Sequence, residues 1–265
     1  MIVSEALTLA RSLGVDRLDA QLLLAHLLQQ DRGWLISHDD APVDEALVRG
    51  LLIRRAAGEP LAYLVGEKEF HGLLLKVTPD TLVPRPDTEV LVDWALELLT
   101  PKSSVVDLGT GSGAIALALK AGQPGARVHA VDLSPAALAV AEGNARRLGL
   151  DVCFHQGSWL APLAGLKFDV IVSNPPYIAG GDPHLPALRH EPISALTPGG
   201  DGLSDLLAII DVAPQHLVSG GWLLLEHGFD QAEPVAAALR ARGFMEPELR
   251  RDLGGNPRAS GGRLP

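Results

Sequence analysis

The sequence predicts an α/β fold, in which a parallel sheet with helices on both faces follows a small N-terminal helical bundle and a short hairpin. Three observations predict it. Apolar residues over the first 60 positions recur at helical spacing. Residues 69–83 change to alternation, punctuated by Gly72 and Pro79-Asp80. Beyond residue 100, short β-branched runs alternate with helical stretches, as strand–crossover–strand units do.

In chain order, Ser4 to Leu13 carries Ala6, Leu7, Ala10 and Leu13 on one face, and Gly14 stops the helix. Asp16 or Asp19 caps a second helix with Leu18, Leu22, Ala25 and Leu28 at helical spacing. A third starts near Pro42, a residue tolerated in a first helical turn, and runs through Leu47, Leu51 and Leu52. Arg54 and Arg55 suit its negative end, and Gly58 followed by Pro60 ends it. Leu73, Leu75 and Val77 alternate in the hairpin or linker. Strands follow at Val105–Asp107, Val128–Asp132, Val152–His155, Phe168–Ser173 and Trp222–Glu226. Helices lie between them at Gly113–Ala121, Pro135–Leu148, Ser204–Val218 and Gln231–Arg242. Gly254–Gly262 reads as a low-complexity tail. The expected domains are 1–68 (helical), 69–84 (hairpin or linker) and 85–265 (sheet with helices).

Composition excludes several classes. Lys+Arg 22 against Asp+Glu 32 leaves a net charge of −10, which disfavours sequence-independent binding of nucleic acid. The one cysteine, Cys153, rules out an internal disulfide and a cysteine-based zinc site. The nine histidines show no HExxH spacing, so no metal is expected. The N-terminus lacks a basic leader and no apolar run reaches the length of a membrane span, which points to a cytoplasmic chain.

Ligands in parallel α/β sheets bind at the carboxyl ends of the strands, and the informative residues fall there. Asp107-Leu108-Gly109-Thr110-Gly111-Ser112-Gly113 joins the first strand of the sheet to a helix. Its glycines permit a tight turn and close approach of a ligand to free N–H groups at the helix start. Asp132 ends the next strand, where a carboxylate can accept from both ribose hydroxyls of an adenosine moiety. Trp159 is placed to cover an adenine ring or to fill core. Up to this point a nicotinamide dinucleotide and S-adenosyl-L-methionine fit equally.

Asn174-Pro175-Pro176-Tyr177 separates them. The prolines donate no N–H and fix φ, so the strand ends and its carbonyls keep a set direction. The Asn174 amide oxygen and the Pro175 carbonyl supply two acceptors for the two hydrogens of a planar NH₂ group, and Tyr177 can lie flat against that group. A planar amine is a weak nucleophile, because its lone pair is delocalised. Holding both hydrogens favours the charge that builds on nitrogen and aims the lone pair at an electrophile such as a sulfonium methyl. Positioning of this kind is worth up to about 7–11 kcal/mol. Hydride transfer has no use for it.

The combination of Asp107–Gly113, Asp132 and Asn174–Tyr177 resembles the class I S-adenosylmethionine-dependent amino-methyltransferases, a group with a Rossmann-like fold. Adenine N6 and a glutamine side-chain amide are both planar amines, so an adenine-N6 DNA or RNA methyltransferase is the alternative reading. Pro84-Arg85-Pro86-Asp87-Thr88-Glu89, Glu69-Phe70-His71-Gly72-Leu73, Asp182-Pro183-His184-Leu185, Glu191-Pro192, Gly200-Asp201-Gly202-Leu203 and Leu223-Leu224-Leu225-Glu226-His227-Gly228 are similar to segments of the peptide chain release factor glutamine methyltransferases, the PrmC/HemK family. The resemblance spans nearly the whole chain. It implies methylation of the glutamine amide nitrogen in the Gly-Gly-Gln loop of release factors 1 and 2, with S-adenosyl-L-homocysteine as product, by a cytoplasmic monomer without direct nucleic-acid or membrane contact. The N-terminal helices would dock the factor. Asp107, Gly109, Thr110, Gly111, Ser112, Gly113, Asp132, Trp159 and Asn174 would then contact the cofactor. Asn174, Pro175, Pro176 and Tyr177 would hold the glutamine. Arg85 and Glu89 would organise the pocket mouth or form a structural ion pair. Ser158 stands where the family often carries an acidic residue, and His71 where an aromatic is common. The Gly- and Pro-rich stretch Ile178–Gly202 is expected to form a rim around the bound loop.

Overall fold

The computed structural model describes residues 1–265, which divide into two compact units, Met1–Glu67 and Lys68–Pro265. The first contains α1 (Val3–Ser12), α2 (Arg17–Leu28), α3 (Arg32–Ser37), α4 (Glu45–Ala56) and α5 (Leu61–Val65). These bury a core of their own that includes Val3, Ala6, Ala10, Leu23, Leu24, Leu35, Val48, Leu52 and Leu64.

Capping chemistry sets the helix starts. Asp16 caps α2 by accepting from Leu18 N at 2.7 Å, while Asp19 lies inside the helix and pairs with Arg55 at 2.7 Å. Helix α4 begins at Glu45 rather than near Pro42, because the Asp44 carboxylate accepts from the free amides of Ala46 and Leu47 at 2.9 and 3.0 Å. Pro42 instead forms an isolated bridge with Ile2. The buried faces also differ from the leucines expected. Ala25 and Leu52 are buried as expected, but Leu18 and Leu47 are exposed, and Ala20, Leu23, Leu24 and Val48 complete the core faces. Both helices carry leucine around much of their circumference, so spacing alone does not choose a face. Helices α3 and α5 span six and five residues, too short to show a period.

The hairpin consists of β1 (Glu67–Phe70) and β2 (Leu73–Lys76), turning at His71 and Gly72, both at positive φ (49° and 78°). The main sheet has seven strands: β3 (Ser104–Leu108), β4 (Arg127–Asp132), β5 (Cys153–Gln156), β6 (Phe168–Ser173), β7 (Leu217–Glu226), β8 (Glu248–Arg251) and β9 (Pro257–Arg263). Their order is β5-β4-β3-β6-β7-β9-β8, parallel from β5 to β7 and antiparallel for the last two. The helices of this unit are α6 (Glu89–Leu98), α7 (Ala114–Gly122), α8 (Pro135–Leu148), α9 (Ser204–Val212) and α10 (Ala232–Ala241).

Strand alternation builds two cores, one on each face. Val105, Val128, Ala130, Val170, Val172 and Leu224 pack with α6, α7 and Ala145 of α8. Val106, Val131, Ile171, Leu223 and Leu225 pack with α9 and α10. The central strands β3 and β6 are thus buried on both sides, which explains their β-branched runs.

Further departures from the sequence reading lie in this unit: the helix expected over Ser204–Val218 ends at Val212, and Leu217 and Val218 already belong to β7. Helix α6 lies in a stretch to which the alternation pattern assigned nothing. The glycine-rich tail Gly254–Gly262 holds most of strand β9, which pairs with β7 and β8, and its Ala259, Ser260, Gly261 and Gly262 are buried. A Cβ on Gly261 would come within 2.6 Å of Leu224 Cδ2, and one on Gly262 within 2.8 Å of Phe244 Cβ. Glycine serves close packing here, not flexibility.

The chain runs outward from β3 in one direction through β4 and β5, and from β6 in the other through β7. This reversal opens a crevice at the carboxyl ends of β3 and β6. Residues 178–202 follow β6 with two short 3₁₀ turns, Leu185–Leu188 and Ile193–Ala195, and are tied together by Ile178 N to Leu196 O and Gly180 N to Gly200 O, both 3.0 Å.

Candidate active site

A cavity of about 660 Å³ occupies that crevice. Its wall combines Gly109 and Gly111 of the glycine loop, Asp132 at the end of β4, Ser158 and Trp159 after β5, and Asn174 and Pro176 after β6. Of the other expected residues, Asp107, Thr110, Ser112 and Gly113 form the buried support of the loop, and Pro175 is buried under the β6 terminus.

The loop is shaped from within. Gly109, Gly111 and Gly113 all have positive φ (73°, 56° and 85°), a conformation costly for other residues. A Cβ on Gly113 would sit 3.0 Å from Leu117 Cδ1 and 3.2 Å from Ala141 Cβ, so helix α7 can start close to α8 only with glycine there. Asp132 holds the loop by accepting from Gly111 N at 2.8 Å and Ser134 N at 2.9 Å. Asn144 of α8, fully buried, donates to Ser112 O and Lys76 O at 2.9 Å and accepts from Lys76 N at 2.8 Å, tying the loop to the hairpin. Sequence reasoning passed over Asn144; an amide among the apolar positions of an amphipathic helix was the available signal.

Asp107 is completely buried. Its Oδ2 accepts from Thr110 Oγ1 at 2.6 Å and from Ala116 N at 3.2 Å, while Oδ1 has no partner. Burial raises its pKa to about 7, against the hydrogen bonds from Thr110 and Ala116 and with a smaller push from the charge of Asp132.

At the β6 terminus, Ser173 Oγ donates to Leu108 O at 2.7 Å and locks the two central strand ends together. The Asn174 amide nitrogen donates to Thr88 Oγ1 at 3.2 Å. Its amide oxygen is therefore left as an acceptor beside the cavity. Tyr177 donates its hydroxyl to Glu226 Oε1 at 3.1 Å, and its carbonyl accepts from Gln231 Nε2 at 2.9 Å. Gly202 approaches that carbonyl so closely that a Cβ would lie 2.2 Å from it. Burial pushes the Tyr177 hydroxyl pKa far up, so the phenol is neutral.

Glu226, the last residue of β7, is buried as well. Burial raises its pKa to about 7, opposed by the hydroxyls of Thr88 and Tyr177 and by the charge of Arg258. The sequence signal was an acid closing an apolar strand. Arg85 and Glu89 have separate partners rather than each other. Arg85 pairs with the buried Glu191, which also accepts from Val83 N at 3.0 Å, and Glu89 accepts from His71 N at 3.0 Å. Glu191 thereby joins the segment before α6 to the rim, and residues 79–82 and 192–197 contribute to the cavity wall. Asp205 also lines the cavity, and burial raises its pKa.

Residues 4–66 match the family described as PrmC N-terminal domain, and residues 87–201 match the Methyltransferase small domain. The chain is 52% identical over 259 residues to the release factor glutamine methyltransferase of Bordetella pertussis, covering 95% of this chain and 96% of the relative. It is 49% identical over 274 residues to the enzyme of that name from Burkholderia pseudomallei, covering 98% and 96%. Among solved structures, the Thermus thermophilus 16S rRNA N2 G1207 methyltransferase in complex with AdoMet and guanosine shares the fold, with a TM-score of 0.58 at 20% identity over 75% of this chain and 50% of that one. Near-full-length identity of about half, carried across both units, leaves one conclusion: the chain belongs to the release factor glutamine methyltransferase family.

Proposed function

We propose that the chain transfers a methyl group from S-adenosyl-L-methionine to the side-chain amide nitrogen (N5) of the glutamine in the Gly-Gly-Gln loop of peptide chain release factors 1 and 2. The observation that carries this reading is the Asn174 amide. Its nitrogen is engaged by Thr88, which leaves its oxygen free to accept, and the residue lines the cavity one strand away from the glycine loop.

The residues present fit the cofactor. The volume is that of a small-molecule site. Asp107 Oδ1, buried and without a partner, is the acceptor an ammonium group needs. Gly109 and Gly111 let a ligand lie against backbone, Asp132 faces the cavity with acceptor capacity beyond its two amide bonds, and Trp159 offers a flat apolar wall. Bound there, S-adenosylmethionine supplies an electrophilic methyl carbon. The protein's part is to hold the nucleophile. Asn174 Oδ1 and the Pro175 carbonyl accept the two amide hydrogens of the glutamine, and Pro176 and Tyr177 exclude water. The acceptor dipoles stabilise the positive charge that grows on nitrogen as the new bond forms. The proton on that nitrogen is acidic once the methyl is attached and leaves to solvent, so no strong base is required.

The N-terminal unit docks the factor in this reading, and Arg85, Glu89 and the rim 178–202 shape the entrance for its loop. In this reading the chain acts as a monomer in the cytoplasm, where release factors work; no helix is long and apolar enough to cross a membrane. The test is methyl transfer from labelled S-adenosylmethionine to release factor, to a factor whose loop glutamine is replaced, and to DNA. Label should appear in the first alone. Asn174→Ala should lower kcat by about 10²-fold or more with a much smaller change in cofactor Kd, since it removes an acceptor at the reacting nitrogen. Unchanged turnover would remove Asn174 from the mechanism.

A further inference from the structure

Two exposed apolar side chains stand on turns that are hydrogen-bonded to the end of the Asn174–Tyr177 segment. Ile193 opens the second 3₁₀ turn of the rim and is 62% exposed. Its neighbours Pro192, Ser194 and Ala195 line the cavity, and Ile193 itself does not. Leu196 N and Thr197 N both donate to Ile193 O at 3.1 Å and close the turn. Leu196 O accepts from Ile178 N, the residue after Tyr177, at 3.0 Å.

Phe229 lies in the turn that follows β7, where Gln231 N donates to Gly228 O at 2.9 Å, and it is 66% exposed. The chain has five phenylalanines, and the other four are buried or half-buried. Gln231 braces this turn with both ends of its side-chain amide: Oε1 accepts from Gly228 N and Nε2 donates to Tyr177 O, each at 2.9 Å. Gly202, at the end of the rim, packs against that same carbonyl. Rim, motif and β7 turn therefore meet at Tyr177. Neither Ile193 nor Phe229 belongs to either core of the sheet unit. A lone exposed apolar residue means little on its own. Here the backbone under both is held by hydrogen bonds to the segment that would grip the substrate, so each presents an ordered apolar surface that loses little freedom on contact.

The partner follows from the functional reading above, on which the claim rests. There the substrate is a protein, and its loop reaches the cavity only when the protein that carries it lies over the carboxyl ends of the strands. Side chains on turns bonded directly to the Asn174–Tyr177 segment fall within the covered area, continuous with the pocket. Aromatic anchors are enriched in such interfaces, and a few of them carry most of the affinity. We propose that Ile193 and Phe229 are apolar anchors for the release factor: they pack against the body of the factor beside its Gly-Gly-Gln loop and set its affinity without touching the glutamine or the cofactor.

The test has two readouts on the full chain: steady-state methyl transfer from labelled S-adenosylmethionine to purified release factor, and the Kd for the factor by calorimetry without cofactor. Phe229→Ser should raise both KM and Kd for the factor by about tenfold, Ile193→Ser by about threefold, and the double substitution by more than either. The kcat and the Kd for S-adenosylmethionine should stay near wild type, because neither side chain lines the cavity, and so should the melting temperature, because neither is in a core. Phe229→Trp and Ile193→Leu keep the apolar surface and should retain the wild-type KM. Leu166→Ser is the control, an exposed apolar residue just before β6 at the other end of the strands, and should change nothing. Unchanged KM and Kd in the double variant overturn the proposal. A fall in kcat at constant KM does so too, since it would make the two residues supports of the motif. A wild type that binds release factor with this dependence on Ile193 and Phe229 but transfers no methyl to it sinks the functional reading and leaves the docking surface standing. A wild type that binds no release factor overturns both.

Discussion

Asp107 shows how a single carboxyl can be placed against its own preference. It is buried with one oxygen unpartnered, and its folded pKa of about 7 lies above its ordinary value. The native state therefore binds more protons than the unfolded one between roughly pH 4 and 7. Stability from this group is complete below the unfolded pKa and is lost as pH rises through the folded one. Asp107→Asn keeps an oxygen for Thr110 and removes the charge. Its melting temperature should exceed wild type at pH 8 by the equivalent of roughly 2–4 kcal/mol, with little gain at pH 4, in paired thermal scans. An equal gain at both pH values would show that the carboxyl is not held ionised against desolvation. The same substitution should weaken cofactor binding, since the unpartnered oxygen is the one an ammonium would meet. Gain in stability with loss in affinity is the pattern expected where strain is kept for function.

Among the elements, β9 makes the clearest case for packing over composition. Gly261 stands between Leu224 of β7 and Trp94 of α6, where a Cβ would be 2.6 and 2.7 Å from side-chain carbons. Gly261→Ala should cost about 1–3 kcal/mol, read as a lower urea midpoint for the sheet unit, because both neighbours are buried and have little room to move. The central elements were legible from sequence because each carries its own signal. The β-branched runs of β3, β4 and β6 and the Ser134-Pro135 start of α8 need no partner to be recognised. Ser134 caps α8 through Ala137 N at 3.2 Å. Helix α6 and strands β8 and β9 were not legible. Helix α6 follows directly on an irregular Pro-rich segment, and β9 owes its conformation to strands on either side of it rather than to residues such as Gly261 and Gly262.

At the scale of the molecule, the two units have separate cores, and no residue of the N-terminal core lies within Lys68–Pro265. The cavity wall is drawn entirely from the second unit. Residues 68–265 alone should therefore fold and bind S-adenosylmethionine with near wild-type affinity, measured by calorimetry. If the helical unit docks the factor, kcat/KM for release factor should fall by about tenfold or more through KM. Equal kcat/KM for the shortened and full chains would remove the docking role. By itself the sequence determined the fold class, the glycine loop, Asp132 and the Asn174–Tyr177 turn, because alternation, glycine at positive φ and proline at a strand end are local properties. Only the tertiary structure decided what surrounds them. It set Thr88 against Asn174, Glu226 behind Tyr177, Glu191 between Arg85 and Val83, and Asn144 under the glycine loop. Those partners lie from 32 to 108 residues apart in the chain, and burial, which sets the protonation of Asp107 and Glu226, exists only once distant segments have closed over them.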